Sequence, residues 1–332
     1  MKLVFAHFVT PLPSHLLENM ARTRLLFPNE EIVLITDLDV TLSQPNITIH
    51  RYQSIHEQQF LKDGLNHPME FRNQFWLTTL LRIIAVCDYS ISIKDSVIHI
   101  ESDVILAGNF PLLEFVNLNH EVAFPLVSSG LGVASTLFIK DREAAANLID
   151  FIHQEVTANP NTTDMKILYN YYISHPNRVM VLPTAINLPG IFNGFSESVT
   201  SATLIDGVEY FKGIFDTVDI GFYLLGEDPR NHRGFTHYRT LDDSSFVNIR
   251  FLSFNFNETT KFLELENPIK ISNVPVFSLH IHSKNNKAIN TKYSARILRR
   301  AIEKQHDSSN SKFHLKIFLD LTKHYLIKRI FS

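Results

Sequence analysis

Apolar positions along the first half of the chain alternate between two periods. "KLVFAHF" (Lys2–Phe8), "EIVLITD" (Glu31–Asp37) and the shorter "NITIHRY" (Asn46–Tyr52) are apolar runs of strand length. Between the first two, Ser14 is placed to cap a helix that carries Leu16, Leu17, Met20 and Leu25. From Asn73 to Tyr89, Phe75, Leu77, Leu80, Leu81 and Ile84 recur at helical spacing, and "VIHIESD" (Val97–Asp103) reads as the next strand. Strands at "EVAFPLV" and "VASTLFIKD", helices at "DREAAANLIDFIHQEV" and "TDMKILYNYYIS", and a strand at "RVMVLP" follow. Strands alternating with helices predict an α/β fold with a wound, mostly parallel sheet.

Beyond Pro183 the pattern weakens. It predicts a short helix from about Thr217 to Leu225, a turn through Asp228, and strands at Val247–Phe254 and Lys261–Leu265. "VPVFSLHIHSK" (Val274–Lys284) alternates with a period of two, and a helix over about Asn290–Lys304 closes the pattern. No Pro/Gly/Ser-rich linker divides the chain, so residues 1–305 read as one catalytic-size domain. Residues 306–332 form a tail of different character.

Composition changes this picture little. A net charge of -3 over 332 residues argues against a general nucleic-acid binder, and the single Cys87 permits no intramolecular disulfide. The first strand begins at once and no apolar run reaches membrane-span length, so a cytoplasmic protein is expected. In the tail, Phe313, Ile317, Leu321 and Leu326 alternate with Lys312, Lys316, Lys323, Lys328 and Arg329. Such a basic amphipathic helix suits the anionic face of a membrane, or equally a docking site on protein.

The chemistry concentrates where strands end. Glu101 and Asp103 stand one residue apart after Val97–Ile100; on a strict strand both carboxylates would face one ligand. Their hard oxygens suit Mg²⁺ or Mn²⁺, ions that commonly bind substrate phosphates as well. His280 and His282 share a face of a later strand, and one imidazole could complete the coordination, with Lys284 meeting a phosphate oxygen. Asp37 and Asp39 close the second strand, where ligands of open α/β sheets sit.

In this order the motifs resemble the GT-A glycosyltransferases, enzymes that use nucleotide-sugar donors and carry an acid-x-acid metal motif. The resemblance runs over most of residues 1–290. It rests on "LVFAHF", "FWLTTLLR", "VIHIESDVIL", "SSGLGVASTLFIKD", "TDMKILYNYY", "GIFDTVDIGFYLLGEDPRN" and "SLHIHSK". One departure is Glu101, which stands where the family usually has Asp.

The resemblance implies a GT-A fold with a donor-binding part over about 1–130 and an acceptor side over about 131–290. It implies a metal held by Glu101, Asp103 and His280 or His282, and a UDP- or GDP-sugar met by His7, Asp37, Asp39, Arg82, Ser102 and Lys284. For an inverting reaction Asp216 and Asp219 are the candidate general bases, with Asp164 behind them; a retaining reaction needs none. The acceptor would be a glycan, a lipid-linked sugar or a protein, and a membrane-bound tail would place the enzyme peripherally on a cytoplasmic face. Phe75, Phe138 and Phe151 fall at core positions, whereas Trp76 and Tyr223 are candidate acceptor platforms. The alternatives are a nucleotidyltransferase of related fold and a non-catalytic protein that binds nucleotide sugar or glycan.

Overall fold

The computed structural model describes residues 1–308 apart from 9–10, 43–45, 54, 68–73, 188–190, 193–198, 227–244, 248, 250–251, 267–272 and 282–285. Four strands from the first third, β1 (Lys2–Ala6), β2 (Ile32–Thr36), β3 (Ile47–Arg51) and β4 (Val97–Ile100), pair in parallel. With β6 (Val122–Phe124), β9 (Thr136–Ile139) and β10 (Val179–Val181) they form a seven-stranded sheet of order β10-β6-β9-β4-β1-β2-β3. Only β9 runs against the rest. The expected mixed, mostly parallel wound sheet is therefore present.

The period-two pattern of β1 explains how the sheet is covered. Val4 and Ala6 face a core shared with α3 (Phe75–Ile93), α5 (Arg142–Ala158) and α6 (Asp164–Ser174). Leu3 and Phe5 face a second core with α1 (Ser14–Leu26) and α4 (Leu112–Val116). By length and composition α3 is apolar enough to cross a membrane, contrary to the sequence expectation. Its Leu80, Ile84 and Cys87 are fully buried against the sheet, which is the position of a core helix.

Local start signals differ in two places. Helix α1 begins at Ser14 itself, after Pro13, and has no side-chain cap at its start. In α6 Thr163 is the cap, accepting the Lys166 N–H at 3.3 Å, so Asp164 stands inside the first turn.

Beside the main sheet lies a smaller one. There β14 (Val274–His280) pairs with β11 (Ile214–Phe215), with β13 (Phe262–Leu265) and, antiparallel, with β5 (Val104–Leu106). Helix α9 (Asp219–Leu225) packs on β14, and α10 (Asn286–Ile289) and α11 (Thr291–Ser308) pack on α1 and on this smaller sheet. The expected strand Val247–Phe254 is replaced by a bridge at Val247 and by β12 (Phe254–Asn257). The tail beyond Ser308 and the turn through Asp228 lie outside the described residues.

Candidate metal and donor site

The acidic triplet is a turn. The Val104 N–H donates to the Glu101 carbonyl at 3.0 Å, closing a tight reversal between β4 and β5 at the carboxyl edge of the main sheet. The two carboxylates thus share a side through turn geometry, where the sequence suggested strand alternation.

Pairing of β5 with β14 then brings His280 opposite Val104, and the Ile281 N–H donates to the Asp103 carbonyl at 2.6 Å. One ligand atom each from Glu101, Asp103 and His280 lies within 4.8 Å of the others. His280 Nε2 is 3.4 Å from Asp103 Oδ2. Neighbouring ligands of an octahedral ion with bonds of about 2.1 Å stand about 3 Å apart, so this spacing is close to that of two ligands of one cation.

The histidine is oriented by its other nitrogen. Nδ1–H donates to the Thr217 carbonyl at 3.0 Å, leaving Nε2 turned toward the carboxylates. Burial opposes charge on His280, but Asp103 by charge and hydrogen bond, with Glu101, raises its pKa to about 9. Without a metal the imidazolium is itself the cation on which the two carboxylates converge. A hard, two-carboxylate set with one imidazole oriented through a carbonyl fits Mn²⁺ or Mg²⁺.

Two of the expected catalytic carboxylates are tied into the surrounding fold by hydrogen bonds. Asp216, 1 % exposed, accepts the N–H of Ile220 at 2.9 Å, of Gly221 at 2.9 Å and of His280 at 3.0 Å. Both oxygens are engaged by backbone N–H donors. Gly221 is what permits this knot, since a Cβ there would lie 1.8 Å from the His280 carbonyl oxygen. Asp219 accepts from Ser245 Oγ at 2.7 Å and Thr217 Oγ1 at 3.3 Å, and burial raises its pKa to about 7. It lines a small cleft together with Thr184, Val247 and Ile249.

Asp164 is placed differently. It is buried at the start of α6, and its Oδ1 has no hydrogen-bond partner among the described residues. Burial raises its pKa to about 6, against the pull of the Arg82 charge and with a further push from Glu101. Arg82 in turn lies 3.6 Å from Glu101. Asp164, Arg82 and Glu101 therefore make a charged row leading from α6 to the Glu101–Asp103–His280 cluster.

The other expected donor residues divide. His7 and Asp37 follow β1, which pairs with β4, and β2, which pairs with β1 on its other side, and so stand at the same carboxyl edge. Asp39 is exposed and paired with Arg51. Ser102 Oγ lies 3.2 Å from His15 Nε2. His282 and Lys284 lie outside the described residues.

Sequence reasoning found α1 as a helix but missed the polar residues it turns to the site. His15, Asn19 and Arg22, at i, i+4 and i+7, run along the turn and β5. Asn19 Nδ2 donates to the carbonyls of Ser102 at 3.2 Å and Val104 at 2.6 Å, and Arg22 donates to the Leu106 carbonyl at 3.4 Å. Polar residues at helical spacing on an otherwise apolar face were the available signal.

No family model matches the chain, and no curated protein matches it. Solved structures resemble part of it at low identity. One is galactosyltransferase LgtC in complex with donor and acceptor sugar analogues: 15% identity, 55% of this chain, 73% of that chain, TM-score 0.39. Another is mouse xyloside xylosyltransferase 1: 10% identity, 55% and 84% covered, TM-score 0.39. A third, the glycosyltransferase GlyE of Streptococcus pneumoniae TIGR4, gives 18% identity, 55% and 45% covered, and TM-score 0.35.

Proposed function

We propose that the chain is a divalent-metal-dependent glycosyltransferase of GT-A type that takes a UDP- or GDP-linked sugar and transfers the sugar to a carbohydrate-bearing acceptor. The observation that carries this reading is the Glu101–Asp103–His280 cluster at the carboxyl end of β4, with its histidine oriented through the Thr217 carbonyl. A bound Mn²⁺ or Mg²⁺ would neutralise negative charge gathering on a leaving diphosphate.

The chain's own residues then have separate tasks. Asp103 and His280 hold the ion, with Glu101 between it and Arg82. Arg82 presents its guanidinium to donor oxygens, and His7 and Asp37 stand where the nucleoside would lie. Lys284 is assigned to the diphosphate, and His282 remains a further candidate ligand. Asp164 is the carboxylate best placed to hydrogen-bond a reacting sugar hydroxyl or to take its proton; with a pKa of about 6 it is ionised at neutral pH. The basic tail is assigned to an anionic membrane surface, which would make the enzyme peripheral on a cytoplasmic face.

The Glu101–Arg82 ion pair favours a second reading, because an internal cation already serves the first carboxylate. That reading is a protein that binds nucleotide sugar without transferring it. Calorimetric titration of UDP and GDP with Mn²⁺ and with EDTA, on the wild type and Asp103→Ala, tests the proposal. Binding that needs both the metal and Asp103 supports it, and metal-independent binding or none overturns it. Slow hydrolysis of the matching sugar nucleotide separates a transferase from a binder.

A further inference from the structure

The cleft that Asp219 lines lies at the carboxyl edge of the main sheet. Leu126 and Val127 follow β6, Thr184 follows β10, and both strands run in the same direction as β4. In the sheet order, β6 and β10 fall on one side of β4, while β1 and β2, which lead to His7 and Asp37, fall on the other. The cleft is therefore across the Glu101–Asp103–His280 cluster from the nucleoside end of the edge. Thr217 joins the two places. Its carbonyl accepts from His280 Nδ1 at 3.0 Å, and its hydroxyl donates to Asp219 Oδ2 at 3.3 Å.

Two buried polar groups in the cleft have unused capacity. Ser245 Oγ and Thr217 Oγ1 both donate to Asp219 Oδ2, and Oδ1 accepts nothing among the described residues. Thr184 is 5 % exposed, and its Oγ1 is buried with no hydrogen-bond partner among the described residues. Its backbone is fixed, the N–H donating to the Leu204 carbonyl at 3.2 Å. A buried hydroxyl without a partner costs stability, so its presence beside a cleft calls for an explanation. Around these groups Leu126, Val127, Val247 and Ile249 give apolar walls.

A carboxylate oxygen accepts, a hydroxyl donates, and aliphatic walls take a methyl group. An acetamido group meets all three demands: its N–H pairs with Asp219, its carbonyl oxygen with Thr184, and its methyl with Val247 and Ile249. A sugar hydroxyl alone would leave the walls without a partner. The cleft is small and suits such a side group better than a whole pyranose ring. We propose that this cleft is an acetamido pocket of the acceptor subsite, which makes the acceptor an N-acetylated sugar. The assignment rests on reading the neighbouring cluster as a sugar-transfer site.

The full-length protein is titrated with the methyl glycosides of N-acetylglucosamine and N-acetylgalactosamine, and with those of glucose and galactose, by saturation-transfer NMR. The titrations are run alone and with Mn²⁺ and UDP or GDP, at about pH 8, where Asp219 with its pKa of about 7 is ionised. Saturable binding of at least one N-acetylated glycoside is expected, about tenfold or more tighter than its parent hexoside. Thr184→Val keeps the volume and removes only the unpaired hydroxyl, so it should melt near the wild type and lose about tenfold in affinity; Thr184→Ser should keep the affinity. No binding of either N-acetylated glycoside in any condition, equal affinity for the parent hexoside, or unchanged affinity in Thr184→Val overturns the pocket. Metal-dependent UDP or GDP binding without a glycoside response would sink the pocket and keep the transferase reading; a glycoside response without nucleotide binding would do the reverse.

Discussion

Asp216 Oδ2 accepts the backbone N–H of His280 at 3.0 Å, so a carboxylate that looks catalytic in the sequence braces the backbone of a candidate metal ligand. The same carboxylate ties down the first turn of α9 through Ile220 and Gly221. Asp216→Asn must place an amide NH2 against at least one of these three donors. A stability loss of about 1–3 kcal/mol is expected, together with weaker Mn²⁺ binding. A general base would behave otherwise, losing turnover while keeping its melting temperature and its metal. Thermal melts and Mn²⁺ titration of this variant decide between the two.

Asn19 acts on the opposite wall of the site. Its amide, 0 % exposed, holds the carbonyls on either side of Asp103. Asn19→Ala leaves those carbonyls with one donor fewer and frees the acidic turn. The expected result is a Mn²⁺ affinity lower by about tenfold or more, the usual scale for loss of a supporting hydrogen bond at a metal site. Calorimetric titration of Mn²⁺ measures it; unchanged affinity would show that β5 holds Asp103 without α1.

Much of this arrangement could be read from the sequence, and the unread parts share a cause. The strands of the main sheet and the helices α3, α5 and α6 carry period-two and period-3.6 patterns that burial imposes locally. Glu101 and Asp103 were visible because they interrupt such a pattern at a strand end. The pairing that sets His280 beside Asp103 is a backbone register between β5 and β14, and distant registers leave no periodic trace. Nor could the sequence separate Asp216 from Asp164. Both are aspartates beside a helix start, and only the three backbone donors around one and the orphan oxygen of the other distinguish them. Phe75 shows the converse: helical spacing put it on the apolar stripe, but it is half-buried and the buried residues of α3 begin at Leu77.

Asp219 gives the protein a pH signature. Burial raises its folded pKa from 3.8 to about 7. Its contribution to stability is therefore fully present below the unfolded value and is lost as pH rises through about 7. His99 acts with the opposite sign: burial, then the charge of Arg82, lowers it from 6.5 to about 3, so its contribution is lost as pH falls below 6.5. The wild-type profile mixes the two, and the difference between wild type and Asp219→Asn isolates the carboxyl. Relative to wild type, the melting temperature of Asp219→Asn should rise from about pH 4 to about pH 7 and level off above that. A difference that stays constant over that range would refute the raised pKa.

Asp164 is where the charged row meets chemistry, and its variant separates the proposed base from its rivals. The carboxyl is buried, has one oxygen without a partner among the described residues, and lies near Arg82 and Glu101. Asp164→Asn keeps the volume and removes both the charge and the proton acceptor. Nucleotide and Mn²⁺ binding should survive, because Asp103 and His280 are untouched. Transfer to an acceptor should fall by about 10²- to 10⁴-fold, the range for losing a positioned acid or base. In the wild type the rate should follow ionisation of a group near pH 6, rising through that value, and the dependence should vanish in the variant. If Asp164→Asn transfers at the wild-type rate while Asp219→Asn does not, the proton acceptor is in the cleft behind β14, and Asp164 serves only to hold Arg82.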